Sequence, residues 1–192
     1  MNEITGNSRF VIDAGRGRFN VQAFAGGLLS FAGHDPFFAV RRYGGEIRFA
    51  DDGRTVESML VVARAESIAL VDDVGEKDRR ELERALREEV LETADFPEIF
   101  FVSKDVSLAE RRAGVFIATA HGALSLHGRT QPLTIAAEVS FGNGLLYASG
   151  EFHLRQSDFE IERVTAFGGT LKVKDEVVVS FDLVAAGEPA KP

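Results

Sequence analysis

The sequence predicts an all-β fold, a closed antiparallel sheet of about eight strands with one amphipathic helix outside it. Three observations predict it. Apolar residues recur with period two along most of the 192 residues. Turn signals rich in Gly and Asp separate those runs, and a single segment has the period of a helix.

From the N-terminus, strands are expected at residues 10–13 and 18–25, with a short helix or loop around 26–33. Strands at 37–50 and 55–68 follow, turned by Asp51-Asp52-Gly53, a hairpin signal. The exception comes next. In residues 75–98, Leu82, Ala85, Leu86 and Val90 share one face at helical spacing, Glu76/Arg80 and Glu83/Arg87 form i,i+4 pairs, and Pro97 stops the run. This is a helix of about four turns with a solvated, nearly charge-balanced outer face.

A strand at 98–108 leads into the clearest alternation. Phe116, Ala118, Ala120, Gly122, Leu124 and Leu126 fall on one face, with Thr119, His121, Ser125 and His127 on the other. The connection is expected at 127–132, "HGRTQP", where Gly and Pro suit a turn. Leu133, Ile135, Ala137, Val139 and Phe141 resume the inward set, and Gly142-Asn143-Gly144 signals another hairpin. Leu146, Ala148, Gly150, Phe152 and Leu154 continue it, and a last strand covers 176–185. So many antiparallel strands favour closure, which removes exposed edges; a sandwich is the alternative. A single domain is expected at 9–186, with flexible tails at 1–8 and 187–192.

Composition excludes several functions. A net charge of -8 and a pI near 5.1 leave no field to attract nucleic acid. The absence of cysteine removes disulfides and thiolate chemistry. No signal peptide and no membrane span are legible, so a cytoplasmic protein without stable membrane insertion is expected. No nucleotide-binding glycine motif stands between a strand and a helix.

Catalytic and metal sites are also hard to assemble, and no catalytic residue, metal or cofactor is expected. His127 has Ser125 two residues away on the same outward face, but no exposed nucleophile elbow; it reads as a partly exposed strand end before a turn glycine. His121 and His127 lie roughly 20 Å apart along a strand, too far to share a metal. His34 and Asp35 form a pair with no third ligand, and His153 is isolated. Aromatic usage points elsewhere, because 16 Phe against two Tyr and no Trp suit the lining of a dry space. Small inward residues, Ala118, Ala120, Gly122, Ala137, Ala148 and Gly150, leave volume that Phe116, Phe141 and Phe152 would wall. A barrel of this size either fills with side chains or holds one ligand.

Several stretches together resemble the YceI-like family of lipid-binding barrels. They are "GGEIRF" at 44–49, "ESI" at 66–68, "ADFPEIFFVS" at 94–103, "GALSLHGRTQPLTI" at 122–135, "LRQSDFEI" at 154–161 and "DEVVVSFDL" at 175–183. The FPEI run and the L-x-L-H-G-x-T-x-P run are the most specific. The resemblance implies an extended eight-stranded lipocalin-like barrel whose lumen takes a polyisoprenoid, an isoprenoid quinone or a fatty acyl chain, and a homodimer. This chain departs from the pattern where Gln156 and Glu160 replace an Arg and a Gly, and where the early segment reads "GHDPFF". Strand parity then places Phe19, Phe49, Phe101, Leu124, Leu126, Ile135, Phe152 and Phe181 along the lumen as ligand-binding residues. A carrier rather than an enzyme is expected. The alternatives are an enzyme with His34 and Asp35 at the barrel mouth, and a filled structural barrel.

Overall fold

The computed structural model describes residues 9–26, 35–162, 165–166 and 171–188. Its strands are β1 (Arg9–Ile12), β2 (Arg18–Gly26), β3 (Phe37–Val40), β4 (Tyr43–Phe49), β5 (Val56–Arg64), β6 (Ile68–Leu70), β7 (Glu98–Arg112), β8 (Val115–Leu126), β9 (Arg129–Gly142), β10 (Leu145–Arg155), β11 (Thr165–Ala166) and β12 (Leu171–Glu188). One helix, α1 (Glu76–Ala85), lies between β6 and β7.

Eight strands close into an antiparallel barrel in the order β1-β4-β5-β7-β8-β9-β10-β12, with β12 returning to β1. No sandwich forms. β12 is long because one of its edges serves β2 and then β1, while the other pairs with β10. It runs through Gly187 and Glu188, where Glu188 lies opposite Arg9 and the two side chains form an ion pair.

The expected strands 37–50 and 55–68 each break in two at the same level of the barrel. Ser67, in a 3-10 turn at Ala65–Ser67, joins the breaks: its hydroxyl donates to the Arg64 carbonyl at 2.7 Å and accepts from the Arg42 amide at 2.9 Å. That pairing lets a polar residue be buried at low cost. Beyond the break, β3 and β6 extend one end of the barrel, and among the described residues β6 pairs with β3 alone. α1 sits beside that end, held by the Arg79 guanidinium, which donates to the carbonyls of Leu70 and Asp72 at 2.6 and 2.7 Å. The helix is shorter than its apolar stripe suggested. It passes at Leu86–Val90 into a π-helical turn, where the Leu91 amide donates to the Leu86 carbonyl at 2.9 Å.

The hairpin turns use the residues that left-handed backbone requires. Asn143-Gly144 turns β9 into β10 with φ of 53° and 73°. His127-Gly128 turns β8 into β9, and the strand resumes at Arg129, so "RTQP" belongs to β9 and not to the connection. At the β4–β5 turn, Asp52 accepts from the Thr55 hydroxyl and from the amides of Thr55 and Arg54, and these bonds hold its carboxyl down to about 2.

The interior divides along the barrel axis. One end is plugged by Phe10, Phe49 and Phe141, whose rings meet edge to face at 5.7 to 6.1 Å, with Phe116 against Phe141. The other end, under the helical segment, gathers Val40, Ile68, Leu91, Phe101, Leu124, Phe159 and Ile161.

Candidate functional site

A cavity of about 260 Å³ runs inside the barrel between these two groups. It greatly exceeds the roughly 10–15 Å³ that one water molecule needs, and approaches the lower end of ligand pockets, about 300 Å³. The described wall is hydrocarbon except at Arg155 and Gln156. Water gains few hydrogen bonds in such a space, so apolar matter is favoured there.

Strand alternation builds the wall. Phe19, Phe49, Phe101, Leu124, Leu126, Ile135, Phe152 and Phe181 all lie on it, Phe19 from β2 and the others from six of the barrel's eight strands. The small inward residues divide into two sets. Ala118, Ala120, Ala137 and Ala148 border the cavity and give it width. Gly122 and Gly150 do not, because a Cβ on Gly122 would stand 2.5 Å from the Phe101 ring and one on Gly150 2.9 Å from the Phe181 ring. Those glycines make room for aromatic rings, not for a ligand. Phe116 and Phe141 likewise plug the closed end, and of the three phenylalanines expected to wall the space only Phe152 borders it.

Two parts of the wall escaped the sequence reading. Leu86 and Val90, from the helical segment, roof the cavity, and Gln156 supplies a polar group at its rim. The apolar stripe of the helix was legible, but not the place where it docks. Asp35 is exposed, and His34 lies outside the described residues. Among the described residues no group of three His, Cys, Asp or Glu could hold a metal ion, and no helix is long and apolar enough to cross a membrane.

His127 lies, as expected, at a strand end before the turn glycine and is only partly exposed, and it is also a joint. Its side chain is only 12% exposed. The ring packs on Phe96 with centroids 4.6 Å apart, Nε2 lies 2.7 Å from the Glu92 carboxylate, and Nδ1 lies 3.2 Å from the Phe159 carbonyl. Gly128 completes the fit, since a Cβ there would stand 2.6 Å from the Phe96 ring. The "FPEI", "LSLHGRTQP" and "RQSDFE" stretches, scattered in sequence, therefore meet beside the helical end of the cavity. Gln131 adds a bond to the Asp158 carbonyl at 2.8 Å, and Arg129 pairs with Glu160.

His127→Ala should cost about 2–3 kcal/mol, because it removes the ring contact and both polar contacts and puts Ala, less tolerant of left-handed backbone than His, at φ 51°. His127→Asn, which tolerates that backbone, should lose roughly half as much. Urea melts of the three proteins check this; a loss under about 0.5 kcal/mol in the Ala variant would show a surface residue.

Comparison with known proteins agrees with the architecture. The family model described as the YceI-like domain matches residues 10–185. Among solved structures, Burkholderia cenocepacia BcnA is similar with a TM-score of 0.70 at 16% identity, over 91% of this chain and 99% of that one. A polyisoprenoid-binding domain from Saccharophagus degradans, implicated in plant cell wall breakdown, gives 0.68 at 13% identity, over 93% and 98%. A Campylobacter jejuni YceI protein gives 0.54 at 15% identity, over 79% and 84%. None of the curated protein sequences compared with the chain matches it.

Proposed function

We propose that this chain, which belongs to the YceI-like family, binds and carries a long apolar molecule in its barrel lumen: a polyisoprenoid, an isoprenoid quinone or a fatty acyl chain. The observation that carries this is the cavity itself, walled by hydrocarbon from strands all round the barrel and roofed by Leu86 and Val90. Each buried methylene contributes about 0.8 kcal/mol before ordering costs, so a few isoprene units suffice for useful affinity. The similar Saccharophagus domain is a polyisoprenoid-binding one, which supports the isoprenoid among the three.

Carriage and not catalysis is the role this lumen suits. Acid–base or nucleophilic chemistry needs positioned polar groups against the substrate, and the described wall offers only Arg155 and Gln156 at one rim. For the expected homodimer, the surface available is an apolar stripe on the outer faces of β5 and β7, where Leu60 lies opposite Val102 and Val62 opposite Phe100.

Organic extraction of the purified protein, followed by mass spectrometry, should release one class of long-chain lipid in near-equimolar amount. A protein that yields none, and takes up none when offered prenyl or acyl chains, would be a filled barrel.

A further inference from the structure

We infer that the aromatic layer at the closed end of the barrel, with Phe49 as the surface it turns to the cavity, sets the longest chain the lumen takes; this rests on the lumen being the site of a long apolar chain. The inward series of several strands passes from cavity to layer in a single step. On β8 and β9, Ala118 and Val139 border the cavity, but the next inward residues, Phe116 and Phe141, do not. On β1, Ile12 borders it and Phe10 does not, and on β4 the wall ends with Phe49 itself. The cavity therefore stops at one level on neighbouring strands, and phenylalanine rings make that level.

The layer is built to resist displacement. Phe49 is 1% exposed and meets Phe10 at 5.7 Å and Phe141 at 5.9 Å, while Phe10 meets Phe141 at 6.1 Å. Each ring is braced edge to face by the other two. The backbone behind them is fastened as well. The Ala50 amide donates to the Thr55 carbonyl at 2.9 Å across the turn after Phe49, and the Gly187 amide donates to the Gly144 carbonyl at 2.9 Å in the turn after Phe141. Phe10 is paired on both sides, with Ile47 of β4 and Gly187 of β12. A chain end pressing on Phe49 has to shift three packed rings together, which a close-packed interior opposes.

The polar side chains of the described wall, Arg155 and Gln156, lie at the opposite end, so an amphiphilic chain points its tail at Phe49. Each methylene added to a chain that stops short of the ring is buried. Each one added beyond that length stays in water at the rim. Affinity then rises with chain length and levels off at a break, whose position reads the depth of the lumen.

The test is a titration of the delipidated full chain with straight-chain fatty acids and with prenols of increasing length. Below the break each added methylene should strengthen binding by up to about fourfold, and above it by little. Phe49→Ala should move the break to longer chains and Phe49→Leu should move it the same way by less. Ala118→Phe, which sets a ring just above the layer, should move it to shorter chains. Phe96→Ala is the control, because Phe96 packs on His127 at the helical end without bordering the cavity; this variant should melt earlier with the break unchanged. Wild-type affinity that keeps rising through the longest chains overturns the proposal. So does a break that stays in place in folded Phe49→Leu and Ala118→Phe proteins, or one that Phe96→Ala moves as far as Phe49→Ala does; all three results leave chain binding intact. If no chain of either series binds wild type, chain binding itself fails and the length limit falls with it.

Discussion

Ala120→Phe should empty the lumen while the barrel stays folded. Ala120 is 4% exposed, borders the cavity, and sits mid-strand between Val106 and Ile135 on the neighbouring strands. A phenyl group there projects into space already present, so the usual overpacking cost of about 1–3 kcal/mol is partly offset by new apolar contact. The bound chain loses that space. Displacing even two methylenes removes about 1.6 kcal/mol, so retention should fall at least about tenfold. His121→Phe is the control, one residue away on the outer face, where His121 is exposed and its Nδ1 lies 2.8 Å from the Thr134 hydroxyl. It should retain ligand as wild type does. Extracted lipid per protein and thermal melting, measured on all three, decide the matter; equal retention in the two variants would mean that the lumen is not where the chain lies.

Gly122→Ala should be strongly destabilising, although it adds a single methyl group. Its Cβ would stand 2.3 Å from the carbonyl oxygen of Val102 and 2.5 Å from the Phe101 ring. Rotation can displace the ring, but the backbone oxygen belongs to the β7–β8 ladder and cannot move without breaking pairing. A loss of about 3 kcal/mol or more is expected, with a fall in Tm of roughly 6–12 °C. Removing the ring as well, in Gly122→Ala with Phe101→Ala, should not restore stability, because the backbone clash remains. Gly142→Ala meets nothing within 4 Å and should be neutral or slightly stabilising. A Gly122→Ala protein that melts with wild type would show that β7 and β8 do not approach as closely as their register requires.

Much of the fold was legible because a strand's faces alternate with a period that sequence displays directly. The hairpin from β8 through β10 shows this best: Ala118, Ala120, Leu124, Leu126, Ile135, Ala137, Ala148 and Phe152 reach the cavity wall in the order that parity gave. Parity failed where both faces are apolar. In Met59-Leu60-Val61-Val62-Ala63 nothing local separates the sides, and the register with β7 decides it, putting Met59, Val61 and Ala63 inside and Leu60 and Val62 outside.

By itself, then, the sequence determined the antiparallel meander, the turns at 51–53 and 142–144, the one helical segment, the apolar character of the interior and the eight inward residues, since each depends on residues a few positions apart. Tertiary structure alone decided which small residues leave volume and which are covered. Gly122 and Ala120 look alike in the alternation, yet Phe101, from another strand, lies over the first and not the second. It also decided that His127 is held by Glu92, Phe96 and Phe159, and that Leu86 and Val90 close the cavity. The physical reason is common to these cases: volume and burial are properties of side chains brought together from distant parts of the chain, and periodicity reports only which way each one points.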